Sequence, residues 1–260
     1  MTRINPLRQK IADGKAVIGP LLQEMPGSPD LVEFLGAAGF DFVMIDGEHG
    51  GVGVELCRDL VRAADAVGVP ALARVPDANP GRILAFLDQG VQGIILAHCN
   101  TAADAEALVQ AVKYPPRGIR GAATASRAGN YGYGPGAIKH VEIANRETMC
   151  LGLVEEFRAM EHVPAMLKVD GFDGCFLGPG DLALSMGLEY FGHWPPHPDV
   201  QKLVDKARDQ TLAAGKLVMT PAGTGAAARS LIQQGYQMVC VQFGQFFRTA
   251  INSYLTEARS

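Results

Sequence analysis

Phe42-Val43-Met44-Ile45-Asp46 and Ala71-Leu72-Ala73-Arg74-Val75 are two short apolar runs, and between them lies the amphipathic stretch Val54–Val67, closed by Gly68. Neither run alternates polar with apolar residues. Continuous runs of this kind fit strands buried on both faces, as in parallel sheets covered by helices. The helical stretch supplies the crossover that parallel neighbours need.

The same unit recurs in both directions. Further apolar runs are Ala16–Leu22, Gly93–Ala97, Met149–Val154, Gly174–Leu177, Leu217–Thr220 and Met238–Phe243. Helical periodicity marks Leu31–Ala38, Arg82–Gln89, Ala103–Val112, Met160–Val169, Val200–Ala214 and Ala226–Gln234. Asn79-Pro80 is a helix-start signal with Pro80 at the first helical position. Gly39, Gly68, Gly90, Gly215 and Gly235 stand where a left-handed helix cap is needed. Eight buried strands alternating with helices imply right-handed crossovers, and in a chain of 260 residues they predict a closed α/β architecture, the (β/α)8 TIM barrel. The competing doubly wound open sheet would carry a phosphate loop after its first strand. Gln23-Glu24-Met25-Pro26-Gly27 contains no such motif. No internal linker interrupts residues 1–260, which predicts a single domain. The irregular, glycine-rich stretch Tyr114–Tyr133 is long enough to be functional or interfacial.

Composition narrows the function. The net charge of −4 argues against a nucleic-acid partner, and 48% hydrophobic with 19% charged residues argues against disorder. The five cysteines are odd in number and form no CxxC motif, so reduced thiols and a cytoplasmic location are expected. The polar start Met1–Lys10 lacks the apolar segment of a signal peptide, and no run is long enough to span a bilayer, so no membrane partner is expected.

In such a barrel chemistry gathers at the carboxyl ends of the strands. Those ends read Asp46-Gly47-Glu48-His49, Arg74-Val75-Pro76, Glu155-Glu156 and Gly178-Pro179-Gly180-Asp181. Singly, each polar residue has a plain structural explanation; Asp181, for instance, fits a cap of the helix Leu182–Met186. Together they place acids, a histidine and an arginine on one rim. Buried Glu155 and Asp181 would need a cation. Two carboxylates with open positions suit Mg2+ or Mn2+, whereas zinc would ask for more His or Cys. Gly180 leaves backbone N–H groups bare for a carboxylate. The implied ligand is a small anion that also chelates a metal. Asp88 sits in the last turn of its helix, against the dipole. It is either a solvated carboxylate or the partner of a cationic or donor group such as His49. In His193-Trp194-Pro195-Pro196-His197 the two prolines rule out a helical metal-binding face, so a surface or lid loop is expected, with Tyr190-Phe191 near it. Lys113, Lys139, Lys168 and Lys216 are expected in helices or at strand starts, away from that rim.

Three stretches also carry a resemblance. Phe40 to Gly50, with Ile45-Asp46-Gly47-Glu48-His49 at its centre, resembles a signature of the class II pyruvate aldolases, the HpcH/HpaI aldolase family. Tyr114-Pro115-Pro116-Arg117-Gly118-Ile119-Arg120-Gly121 and Gly171 to Leu182 resemble two more, in the family's order and spacing from roughly Gly19 to Arg248. The resemblance implies a barrel of the phosphoenolpyruvate/pyruvate type, with the C-terminal helix swapped between subunits of a trimer or hexamer. It implies cleavage of 4-hydroxy-2-oxo acids to pyruvate and an aldehyde with a divalent metal ion (Mg2+, Mn2+ or Co2+). Matched residue by residue, Glu155 and Asp181 are the metal ligands and His49 the base. Asp88 makes that base more basic, with Asp46 beside it. Arg74 stabilises the transition state, and Gly180 holds the pyruvate carboxylate by its backbone. Leu153 stands where the family usually has a substrate-touching Gln, which implies altered substrate choice. The family also includes synthases and decarboxylases acting on oxaloacetate, and a non-catalytic 2-oxo acid binding barrel is the alternative from another class. Exchange of the pyruvate methyl protons separates a catalyst from a binder.

Overall fold

The computed structural model describes residues 4–23, 27–189 and 195–260. The strands β1 (Val17–Leu22), β2 (Val43–Asp46), β3 (Ala71–Val75), β4 (Gly93–Leu96), β5 (Met149–Val154), β6 (Gly174–Leu177), β7 (Leu217–Pro221) and β8 (Met238–Gln242) close into a barrel in sequence order. Every neighbouring pair is parallel, and β1 returns to β8 with Val17 opposite Met238. The expected (β/α)8 barrel is therefore the fold, and all eight apolar runs are strands within a residue or two of their expected bounds.

The helices are α1 (Pro6–Ala12), α2 (Pro29–Ala37), α3 (Val54–Ala66), α4 (Pro80–Gln89), α5 (Ala102–Val112), α6 (Ala137–Glu147), α7 (Val163–Met166), α8 (Pro179–Ser185), α9 (Pro198–Ala213), α10 (Gly225–Gln233) and α11 (Phe243–Arg259). Asn79 caps α4 by accepting from Arg82 N–H at 3.0 Å, with Pro80 in the first turn. The five cap glycines all have φ between 66° and 101°. The expected single helix Met160–Val169 is broken into a 3-10 turn, Phe157–Glu161, and the short α7. Pro164 lacks the N–H that a helix running through it would use, so a new helix starts beside it.

Two apolar layers hold the barrel. Met44, Leu72, Leu151, Phe176, Met219 and Met238 fill the interior, and a larger cluster packs helices against the outside. Leu7 of α1 joins the interior cluster and is fully buried. Asn5, before α1, donates to the carbonyls of Gln92 and Glu147 at 3.1 and 3.3 Å. Those residues precede β4 and β5, so α1 closes the amino-terminal end and leaves the other end to the loops. Two of the lysines are also tied at the amino-terminal end. Lys113 Nζ donates to the carbonyls of Asn145 and Thr148, and Lys216 Nζ to that of Phe172. All five cysteines are free and buried. Among the described residues no helix is long and apolar enough to cross a membrane.

Candidate active site

At the carboxyl end, β2 and β3 place Asp46 directly opposite Arg74. The guanidinium forms a fork: Nε donates to Asp46 Oδ1 at 3.0 Å and Nη2 to Oδ2 at 2.6 Å. Both residues are buried. Such a bidentate pair fixes orientation as well as charge. Asp46 Oδ1 also accepts the backbone N–H groups of Glu48 and His49, at 3.0 and 3.3 Å, and so shapes the loop behind it. Gly50 must stay small, because a Cβ there would lie 2.5 Å from the Asp46 carbonyl oxygen.

Glu48 bends back to the same arginine, with Oε2 3.2 Å from Nε. Burial alone would weaken the charge of Arg74, but the Asp46 bond and charge, with Glu48 and Glu155, hold its pKa above the ordinary value. Two histidines flank Glu48. The Nε2 atoms of His49 and His98 lie 3.7 and 3.4 Å from its Oε1. His98 also contacts Glu156 at 3.1 Å through Nδ1 and holds a left-handed φ of 49°.

Glu155 follows β5 and is 5% exposed. Burial, then the charges of Asp181 and Glu48, push its carboxyl up to about 8, against the opposing pull of Arg74. The expected burial holds for Glu155 but not for Asp181, which is exposed in the first turn of α8. Beneath the pair the chain keeps a glycine: a Cβ at Gly178 would come within 2.8 Å of Glu155 Oε2. Arg74, Leu153, Glu155, Gly178, Gly180 and Asp181 line one cavity of about 160 Å³, together with His197, Gln242 and Gln245.

A divalent cation fits this donor set. Buried Glu155 and exposed Asp181 crowd one another, and the basic group recorded against Glu155 is the half-exposed His98, with Nδ1 3.8 Å from Oε1. Among the described residues no group of three or more His, Cys, Asp or Glu side chains could hold a metal ion. The pair would therefore leave most coordination positions to substrate or water, as oxygen-ligated Mg2+ sites do.

The expected residues do not all meet. Arg74, Leu153, Glu155, Gly180 and Asp181 share the cavity, and Asp46 stands behind Arg74. The His49 ring is half-exposed at the rim and touches Asp46 only through its backbone. Asp88 is not brought to His49 within the chain. Its carboxylate lies 3.4 Å from Nη2 of Arg120, which stacks on the Tyr114 ring at 4.4 Å. That buried arginine accounts for an acid placed against its helix dipole. Tyr190, Phe191, His193 and Trp194 lie outside the described residues. His98, Gln242 and Gln245 are site members that sequence reasoning passed over; Glu48 was read on the rim without a role, and His197, expected in a surface or lid loop, lines the cavity. The rim rule would have found His98 and Gln242, which end or directly follow β4 and β8.

Comparison with known proteins gives a consistent result. The model of the HpcH/HpaI aldolase/citrate lyase family matches residues 25–244. A hydroxypyruvate/pyruvate aldolase of Cupriavidus necator is 33% identical over 236 residues, 90% of this chain and 85% of that protein. A 4-hydroxy-2-oxovalerate aldolase of Rhodococcus jostii is 35% identical, over 84% of this chain and 82% of its own. The crystal structure of an HpcH/HpaI aldolase/citrate lyase family protein from Burkholderia cenocepacia superimposes with a TM-score of 0.88 at 30% identity, covering 98% of this chain and 100% of that one.

Proposed function

Because the chain belongs to the HpcH/HpaI aldolase/citrate lyase family, we propose that it is a metal-dependent pyruvate aldolase, a carbon–carbon lyase that interconverts 4-hydroxy-2-oxo acids with pyruvate and an aldehyde. The observation that carries this is the crowded pair Glu155 and Asp181 facing the fixed cation Arg74 across one cavity.

Glu155 and Asp181 would hold a divalent cation, Mg2+, Mn2+ or Co2+. When bound, that ion supplies Lewis-acid stabilisation of the charge that develops on the 2-oxo acid. Gly180 offers its backbone N–H to the substrate carboxylate. Arg74 cannot shuttle a proton, because it stays charged, so it acts by placing a fixed positive charge beside the keto oxygen. In the cleavage direction His49 accepts the proton of the 4-hydroxyl. The bond between C3 and C4 then breaks, its electron pair passes to the pyruvate half as an enolate, and the aldehyde leaves. Protonation at C3 completes pyruvate. No lysine lines the cavity among the described residues, so a Schiff-base route has no donor there.

Chelation is expected to abolish both aldol turnover and exchange of the pyruvate methyl protons, and Mg2+, Mn2+ or Co2+ to restore them. Full activity of the chelated protein, or of Glu155→Gln, would overturn this role for the pair. The raised carboxyl also sets a pH dependence. A proton on Glu155 competes with the cation, so apparent metal affinity falls as pH drops below about 8, by roughly tenfold per unit. Without metal the sign for stability follows from the same shift. The folded state binds this proton more tightly than the unfolded chain, so its contribution is present at low pH and is lost as pH rises from 4.5 to about 8. Metal titrations and thermal melts of the chelated protein across pH 5–9 measure both.

The proposal includes a homo-oligomer, a trimer or hexamer. Phe246, Phe247, Ile251, Tyr254 and Leu255 stand exposed along α11, an apolar surface unusual for a free helix. Sedimentation at assay concentrations is expected to show no stable active monomer.

A further inference from the structure

We propose that this site selects neutral, hydroxylated acceptor aldehydes, and that the side-chain amides of Gln242 and Gln245 make the selection; the inference rests on the aldolase activity proposed above. The cavity has two unlike sides. Arg74, Glu155 and Asp181 make one side ionic. The other is built by Pro221, Ala222 and Gly223 after β7, and by Gln242 and Gln245 where β8 runs into α11. Leu21, Leu153, Phe176 and Cys240 give the space between an apolar lining. A substrate group that needs hydrogen bonds away from the ionic side therefore finds them at the amides.

Those amides are available. Gln245 makes no side-chain hydrogen bond among the described residues, and it lies over Gly223, where a Cβ would sit 3.3 Å from its Nε2. A larger residue at 223 would take the place the amide occupies. Among the described residues Gln242 makes one long side-chain hydrogen bond, from Nε2 to Gln23 Oε1 at 3.4 Å, and none is recorded at its own Oε1. A glutamine amide presents a donor and an acceptor together, and a hydroxyl both donates and accepts, so the two match without any charge.

Charge excludes the other acceptor classes. Among the described residues that line the cavity, Arg74 is the sole arginine or lysine, and it is already forked to Asp46 and paired with Glu48. His197 is engaged as the cap of α9, its Nδ1 accepting from Asp199 N–H at 3.2 Å. A terminal carboxylate, sulfonate or phosphate on the aldehyde would meet amides and carboxylates, with no lysine and no second arginine among the described residues that line the cavity. An unsubstituted alkyl aldehyde offers the amides no hydrogen-bond partner and so gains nothing from them.

The test measures kcat/KM for condensation of pyruvate with glycolaldehyde, acetaldehyde and succinic semialdehyde, using the metal-loaded full chain. Intrinsic electrophilicity differs among the three, so the informative quantity is how the ratio changes between parent and variant. The ratio of glycolaldehyde to acetaldehyde is expected to fall by roughly 2–10-fold in Gln245→Leu, and similarly in Gln242→Leu, the worth of one neutral hydrogen bond. Succinic semialdehyde is expected to be the poorest acceptor for the parent. Gln245 is exposed on the first turn of α11, so its replacement leaves the core intact, and a melting curve for each variant verifies this. Condensation with ratios unmoved in both variants, or a preference for succinic semialdehyde, overturns the inference and leaves the aldolase activity standing. No condensation with any aldehyde overturns both.

Discussion

Arg74→Ala is expected to lower stability by about 3–5 kcal/mol and to abolish turnover. The loss is that of removing one partner from a buried ion pair. Asp46 is fully buried, and both of its oxygens are taken by the guanidinium. Without Arg74 its charge keeps only two backbone N–H groups. Glu48 and Glu155, which the same cation faces, lose their opposing charge in that step. Urea midpoints and melting temperatures measure the first effect, and a fall of about 10 °C is the scale for a chain of this size. A variant that melts with the parent would refute the structural role of the fork. Arg74→Lys separates geometry from charge: it retains a cation but cannot span both Asp46 oxygens, so it should fold better than the alanine variant and still be clearly impaired. Asp46→Ala combined with Arg74→Ala should recover part of the lost stability, because no buried charge is then left alone.

His49→Ala is expected to show the opposite pattern, with turnover lower by about 10²–10⁴-fold, the usual worth of a general acid–base group. Its ring is half-exposed and 3.7 Å from Glu48, so stability should stay within about 0.5 kcal/mol of the parent, as for most surface changes. Affinity for a pyruvate-like inhibitor should change little, since neither Glu155 nor Asp181 is altered. Exchange of the pyruvate methyl protons locates the step. Exchange at the parent rate with slowed cleavage would place His49 on the aldehyde side only. Parent rates in both would remove it from the mechanism.

The contrast between these variants reflects what the sequence carries. Parallel strands buried on both faces must be apolar along their length, so Phe42–Asp46 and Ala71–Val75 were legible without any partner. The first helix was not. With Leu7 as its one buried residue, α1 has too short an apolar stripe to show a period, and what fixes it is the bonding of Asn5 to the ends of two distant strands. Tertiary docking of this kind leaves no local trace. The rim residues were legible because they end strands, but their pairings were not. Asp46 meets Arg74 because of the register between β2 and β3. Asp88 meets Arg120 because the long loop after α5 folds back over α4, with Ala128 N–H donating to the Asp88 carbonyl. A pairing that depends on where a loop lands cannot be read from spacing, which is why the sequence left Asp88 as either a solvated carboxylate or the partner of a group such as His49.

The five buried cysteines have a practical meaning of their own. Burial pushes Cys57, Cys150, Cys175 and Cys240 up to about 12, so almost no thiolate exists near neutrality, and the thiolate is the reactive form. A cysteine introduced on an exposed loop would then be the sole fast target for a maleimide dye. The native thiols serve as slow clocks instead. Cys150 and Cys175 lie in β5 and β6 and pack in the layer beneath the helices, so each can be labelled only when that layer opens, whereas Cys240 in β8 borders the cavity. The order in which they are modified would map how the barrel comes apart.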